Sequence, residues 1–567
     1  MAKNRSAEAG AAHAQQKGMG PVPASILVLG AIYYGVEHGA WVLVPPQYDE
    51  HARIALAIVV GYSVLQLVLA VGRLRLRFRK ELDAQRPKES THSARIATVA
   101  DLKESGVIPG FWNVSLFFRR AENSVRFYCG VIGRHVLQLV ATHVLIIAPT
   151  GTGKNRFFVF MYLGLLREPC VVTDVKGENY EVTARYRERR FNHRIIRFGV
   201  GGQHSYNPVD LIKEGLAAGG RDVLGDAQRI ALALRPEPKD EKNSYWRQGG
   251  RDVMALTMIG LCVNDPANAN LGTVQMIVSD INLFLAMCED LEFSPALNGV
   301  VAEMARSMLG MVAEKKTALQ EYINVAKQAM LPYARAGWLH KLTETSTFRY
   351  RDLKYPDAQG RFLTIYNQFD SSRREIFEPF GAMLNSCMLL ELQRDPSPQR
   401  VVFLNDEATN FVVKDLPALL TILRSDGNVH VVNICQSRAR MRATWGAEGE
   451  QTILDNSDLK IFFGLNSDEE AKKVSELIGQ QNVLSPSYGM GQGPVDGISE
   501  NRSIAQRPVL TSDMVRREKG ALLVYRKERV MRVDLVGVDR CEPMRSEFDV
   551  NTRYGNKKFK GPVEVIF

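Results

Sequence analysis

The run HVLIIAPTGTGKN at 143–155 constrains this chain more than any other stretch. Val144 to Ile147 reads as a buried strand, Ala148-Pro149-Thr150-Gly151-Thr152-Gly153-Lys154-Asn155 as a Gly-rich loop, and the residues after it as an apolar helix. Strand, glycine loop and helix in that order are what a P-loop requires. The glycines let backbone N–H groups close round phosphates, the helix N-terminus adds the positive end of its dipole, and Lys154 reaches the outer phosphates. Thr150, Gly151, Thr152, Gly153, Lys154 and Asn155 are thus the predicted nucleotide-binding residues, with ATP and Mg²⁺ the expected ligands. Two positions depart from GxxxxGK[ST]: Ala148 stands for the first Gly, and Asn155 for the Ser or Thr whose hydroxyl touches magnesium. The second departure matters more. Either Asn155 offers its carbonyl oxygen, or Thr150, Thr152 and water take over the contact, or hydrolysis is slow. A Gly-rich turn with no ligand is the competing account of the whole stretch.

Other strands of the same kind follow. From about residue 90, short apolar runs alternate with longer amphipathic ones, the pattern of an α/β domain with a mainly parallel sheet. Cys170 to Thr173 runs into Asp174-Val-Lys-Gly-Glu-Asn, and Val401 to Asn405 ends in Asp406-Glu407. Downstream of a P-loop, two carboxylates at a strand end suit a second nucleotide motif: Asp406 to hold Mg²⁺ through water and Glu407 to polarise the attacking water. By itself such a pair is an ordinary solvated strand end. His430 to Ile434 ends at Cys435-Gln436-Ser437, which sets Gln436 beside the γ-phosphate if that strand neighbours the P-loop strand. Arg424, at the end of the helix between these last two strands, either completes a neighbouring subunit's site or is a cation favourably placed at a helix C-terminus.

A chain of 567 residues is too long for one core. Lys and Arg outnumber Asp and Glu by 72 to 62, an excess compatible with nucleic acid or lipid head groups. Seven scattered cysteines with no CxxC pair read as reduced core thiols and argue against a disulfide framework or a zinc site. Nothing resembles an RNA-recognition strand or a nuclease motif. Near the N-terminus, 23–44 and 54–71 are apolar runs approaching the roughly 20 residues that span a bilayer as helix. Lys3, Arg5 and Lys17 precede the first, and Arg73, Arg75, Arg77, Arg79 and Lys80 follow the second, so both ends are expected to face the cytoplasm. A cleaved signal peptide competes poorly, since its apolar core is shorter and starts earlier. Glu37 and His38 interrupt the first run and either pack between helices or lie near the outer interface.

Eight stretches, in one order, together resemble the TraG/TrwB-like coupling proteins of type IV secretion and conjugation, relatives of the FtsK-type translocases. They are ARIATVADL (94–102), HVLIIAPTGTGKN (143–155), VVTDVKGENYEVTARYR (171–187), YNPVDLI (206–212), LNDEATNF (404–411), LRSDGNVHVVNICQSRARMRATWG (423–446), KIFFGLNSDEEAKKVSELIG (460–479) and RPVLTSDMVRR (507–517). The resemblance implies a RecA-like P-loop nucleotide-binding domain of α/β class with an inserted all-α domain, preceded by two transmembrane helices. It implies a homo-hexamer on the bacterial inner membrane that meets lipid, DNA carried as relaxase nucleoprotein, and type IV secretion channel components. It also implies roles: Lys154 for the phosphates, Asp406 and Glu407 for magnesium and water, Arg424 acting in trans, and Gln436 sensing the γ-phosphate.

The expected organisation is a tail (1–22), an anchor (23–80), a first nucleotide-domain part (81–210), the helical insert (211–361) and a second part (362–567). The insert's Met-rich stripes read most simply as its own core. Lys315, Lys316 and Lys327 face either DNA or solvent, and Arg373 and Arg374 either line a phosphate channel or begin a helix. Three activities fit: an ATP-driven DNA translocase, an ATP-binding substrate receptor with little pumping, and a coupling protein for protein effectors. A chromosome-partition translocase fits less well, because residues 520–567 are too few for the winged helix such chains carry.

Overall fold

The computed structural model describes residues 69–71, 94–104, 125–199, 201–219, 222–236, 244–314, 316–369, 373–410, 412–413, 416–425, 428–489, 499–526, 529–552 and 562–567. The chain divides into two units, Met1–Ser93 with Leu484–Ile504, and Ala94–Val483 with Ala505–Phe567. All that follows concerns the second. The predicted membrane spans, 23–44 and 54–71, lie outside the described residues except for a helical turn at 69–71.

A hairpin comes first, β1 (Arg126–Ile132) against β2 (His135–Val140). Seven strands then run parallel: β3 (His143–Ile147), β4 (Cys170–Asp174), β5 (Arg194–Gly199), β6 (Leu363–Gln368), β7 (Val401–Asn405), β8 (Val429–Cys435) and β9 (Leu459–Phe463). After the pair β10 (Gln480–Gly489) and β11 (Ser499–Pro508), β12 (Ala521–Tyr525) and β13 (Arg529–Val533) add antiparallel to one edge. The resulting nine-stranded sheet has the order β13-β12-β9-β3-β8-β7-β4-β6-β5.

Strands such as VLII, CVVT and VVFLN are apolar throughout because helices cover both faces of the sheet, as the parallel class requires. Alternate side chains divide accordingly. Leu145 and Ile147 join the cluster on one face, and Val144 and Ile146 the cluster on the other. One consequence is functional: β3 lies between β8 and β9, and the ends of β3, β4, β7 and β8 emerge along one edge, where open α/β sheets bind ligands.

Between β5 and β6 the described residues form no further strand of the sheet beyond a single bridge at His204, and are mostly helices, among them Asp210–Ala218, Val223–Leu234, Ser244–Asn264, Lys316–Met330 and Trp338–Thr343. Ser244–Asn264 and Lys316–Met330 approach so closely that a Cβ on Gly249 would lie 2.2 Å from the Tyr322 ring. The buried Met254, Met258 and Met330 share one continuous cluster with Leu145, Val171 and Phe198 of the sheet. The helical segment therefore does not close a core of its own: its first helices need the sheet face to bury their apolar sides. At its foot Glu391, from the helix Arg374–Arg394, accepts hydrogen bonds from the Tyr206 hydroxyl (2.5 Å), Arg349 (3.3 Å) and the Arg351 backbone (3.1 Å). Arg394 and Asp226 make a two-bond pair at 2.5 and 2.8 Å close by.

Candidate nucleotide site

The loop after β3 is anchored before it turns: Ala148 N–H donates to the Cys435 carbonyl at 3.0 Å, at the level where Ile147 pairs with Cys435 of β8. Gly151 and Gly153 have φ of +85° and +87°, a conformation that costs other residues free energy. The helix that follows opens with a wide π turn, Asn155–Val159, before Phe160–Leu165. Its far end is held by the fully buried Arg187, which donates to the carbonyls of Leu163 (2.8 Å), Leu166 (2.7 Å) and Glu168 (2.9 Å). Lys154 is only 8 % exposed, and its Nζ has no hydrogen-bond partner.

Across from the loop, Ala408 N–H donates to the Ile434 carbonyl at 3.0 Å and ties the turn after β7 to β8. Within that turn Glu407 takes a φ of +59°, rare for a residue with a side chain, and strain of this kind collects at functional positions. Asn410 Nδ2 donates to Glu407 Oε2 at 2.5 Å. Asp406 is buried, and its Oδ1 has no partner. Burial pushes the Asp406 carboxyl up to about 6, with Lys154 pulling it back and Glu407 adding repulsion. At the end of β4, burial pushes Asp174 up to about 7 despite the hydrogen bond it accepts from Tyr180 N–H at 2.8 Å, and Asp406 and Glu178 add to the effect.

These groups line a cleft of about 610 Å³ together with Thr150, Gly151, Gly153, Asn155, Arg156, Val538, Asp539 and Asn551. An unpartnered ammonium under a glycine loop suits phosphate oxygens. Besides Asp539, which Arg156 neutralises, four carboxylates line the cleft beside it, Asp174, Glu178, Asp406 and Glu407; they cannot face a polyphosphate without a counter-charge, so the residues fit a nucleotide that brings a divalent cation. Among the described residues no three His, Cys, Asp or Glu side chains are grouped to chelate a metal.

Several expectations shift. The Thr152 hydroxyl donates to the Pro149 carbonyl at 2.8 Å and braces the loop, and Thr152 is not among the residues that line the cleft. Asn155 Nδ2 donates to Glu178 Oε2 at 3.3 Å. Gln436 follows β8 directly and β8 does neighbour β3, yet it lies beside the cleft and does not line it. Arg424 is in the last turn of the helix Leu416–Ser425. Arg373 is exposed, and Arg374 opens the helix Arg374–Arg394. Lys327 is exposed and caps a helix end by donating to the Ser279 carbonyl at 3.3 Å. Sequence reasoning gave no role to Asp174, Glu178, Arg156, Asp539 or Asn551. The DVKGEN stretch was a signal for the first two, and nothing in the sequence marked the others.

Fold and cleft define a RecA-like α/β nucleotide-binding protein with a P-loop. The family described as Type IV secretory system Conjugative DNA transfer matches residues 101–524, and the chain belongs to it. Relatives include Conjugal transfer protein TraG of Escherichia coli, 22% identical over 521 residues (86% of this chain, 80% of that protein), and Protein VirD4 of Agrobacterium fabrum, 22% identical over 489 residues (83% and 68%). Among solved structures, the unbound bacterial conjugative coupling protein TrwBdeltaN70 shares the fold with a TM-score of 0.56 at 15% identity, covering 79% of this chain and 93% of that one. TrwB in complex with ADP and Mg²⁺ matches with a TM-score of 0.52 at 16% identity, over 79% and 96%.

Proposed function

We propose that the chain is an inner-membrane coupling ATPase that recruits DNA or relaxase nucleoprotein to a type IV secretion channel and drives its transfer by ATP hydrolysis. The observation that carries this reading is the buried, unpartnered Lys154 Nζ set among Asp406, Glu407 and Asp174 at the sheet edge. Relatives named for conjugal transfer, and TrwB with ADP and Mg²⁺ or with a non-hydrolysable ATP analogue, support it.

In this reading the glycine loop N–H groups and Lys154 hold the phosphates. Asp406, through water, and Asn155 would hold Mg²⁺, which when bound supplies counter-charge to the phosphate oxygens. Glu407, fixed by its left-handed backbone and by Asn410, takes up the attacking water's proton. Arg424 acts on the neighbouring subunit's γ-phosphate in a hexameric ring, and Gln436 senses that phosphate from the end of β8. Two N-terminal spans hold the subunits in one plane, and Arg373 and Arg374 offer phosphate contacts to the DNA. Asn155, where the P-loop pattern has Ser or Thr, favours a second reading, a docking receptor that binds ATP and turns it over slowly.

ATP hydrolysis by the full-length protein, with and without single- and double-stranded DNA, separates the two. The motor requires DNA-stimulated turnover that Lys154→Ala and Glu407→Gln both remove. Nucleotide binding without turnover in the wild type establishes the receptor instead.

A further inference from the structure

Glu178 is 5 % exposed and carries two hydrogen bonds from residues remote in the chain. Asn155 Nδ2 donates to its Oε2 at 3.3 Å, and Asn551 Nδ2 donates to its Oε1 at 2.6 Å. A carboxylate only accepts, so each asparagine must turn its NH₂ toward Glu178. The chemistry of the acceptor thus settles an amide orientation that is otherwise an assignment. On the trigonal amide carbon of Asn155, Oδ1 is then the branch directed away from Glu178.

Asn551 is itself held firmly. Asp539, on the same C-terminal stretch, pairs with Arg156 through two bonds of 2.5 and 2.7 Å, next to Asn155 in the chain. Thr552 donates to Glu181 at 2.8 Å, and the Phe548 ring meets Tyr186 edge-on at 4.8 Å between centroids. The stretch is therefore braced against both the P-loop helix and the helix Glu178–Phe191, and its polar end reaches the cleft at Asn551.

We propose that Glu178 and Asn551 are positioning residues: together they hold the Asn155 amide so that its carbonyl oxygen, and not its NH₂, is offered on the phosphate side of the cleft. That arrangement supplies an oxygen at a P-loop position lacking the usual hydroxyl, and it makes the C-terminal stretch part of the nucleotide site. The inference rests on the nucleotide-site reading above. Glu178→Gln breaks the logic, because the new amide can donate to Asn155 Oδ1 and turn the wrong end of Asn155 toward the cation.

The test is binding of the fluorescent analogue mant-ADP to the full-length protein, once with MgCl₂ and once with EDTA, and thermal unfolding checks each variant's fold. Glu178→Gln and Asn551→Ala are each expected to weaken the Mg²⁺-supported affinity about tenfold, the cost typical of losing an outer-shell partner, and to leave the EDTA affinity unchanged. Asn155→Ala is expected to lose the same increment, and Glu178→Gln added to it should cost nothing more. The relay is overturned if Glu178→Gln weakens binding equally in EDTA, or if it weakens Mg²⁺-supported binding further in the Asn155→Ala background. Should Glu178→Gln not fold, Asn551→Ala carries the same comparison. The underlying reading fails separately, and visibly, if Lys154→Ala binds mant-ADP like the wild type.

Discussion

Glu391 at the foot of the helical segment and Asp406 in the cleft are almost equally buried, at 6 % and 9 % exposed. Glu391 accepts from Tyr206, Arg349 and Arg351, and Arg349 also pairs with Glu214, so the charges there are answered by other parts of the chain. Even so, burial leaves the Glu391 carboxyl above its ordinary range, against the pull of Arg349 and Tyr206. In the cleft Asp406 Oδ1 and Lys154 Nζ have no hydrogen-bond partner, and their charges act on each other only at a distance. Leaving such groups unpaired costs folding free energy, and the cost is tolerable where a ligand completes them. At similar depth the Glu391 carboxylate finds hydrogen-bonding and cationic partners within the chain while Lys154 Nζ finds no hydrogen-bond partner, and that difference, more than any single unsatisfied atom such as Arg349 Nε in the knot, separates a structural knot from a binding site.

Substitutions on the two sides should therefore have opposite profiles. The largest effects belong to the cleft. Lys154→Ala is expected to abolish mant-ADP binding without lowering the unfolding temperature, since it removes an unpaired buried cation; a clear loss of stability would break the comparison. Arg424→Ala should keep binding and reduce ATP turnover by about 10³-fold or more, with partial rescue on mixing in wild-type subunits. Wild-type turnover in this variant would remove Arg424 from the reaction.

Next in size, Glu391→Ala should lower stability by about 3–5 kcal/mol, the usual cost of breaking a buried pair, with mant-ADP affinity unchanged. Simultaneous loss of affinity in the folded variant would mean that knot and cleft act as one unit.

The smallest effect is a pH dependence. Burial, with Arg187 beside it, pushes His193 down to about 3, against the hydrogen bond to the Arg167 carbonyl. The folded chain stays neutral there while the unfolded chain gains a proton near pH 6.5. This contribution is complete above about 6.5 and fades as pH falls toward 3, by about 1–2 kcal/mol at pH 5. Asp174 and Asp406, raised to about 7 and about 6, contribute the opposite slope in this window, so the check is a difference: on going from pH 7 to 5 in chemical denaturation the wild type should lose about 1–2 kcal/mol relative to His193→Gln. An unchanged slope would assign it to other groups.

Much of the sheet was legible in the sequence, because a doubly covered parallel strand writes itself as a largely apolar run: Val401–Asn405 was read to the residue, β3 and β4 to within one at one end, and β8 to within one at each end. The helical segment was legible as helices but not as part of the sheet's core, because periodicity shows which face is apolar and not what covers it. In the cleft, Lys154, Asp406 and Glu407 were legible from strand-end chemistry. Asp174 was visible only as a strand end, and its nearness to Asp406 follows from β4 pairing with β7.

The sequence by itself determined the P-loop and its partner carboxylates, because strand, turn and helix signals there fall within a dozen or so neighbouring residues and act locally. Only the tertiary structure decided that Asp539 pairs with Arg156, 383 residues away, and that Asn551 reaches Glu178 across 373. No local periodicity encodes such contacts. They come from packing the C-terminal stretch against two helices, and that packing determines which way the amide of Asn155 turns.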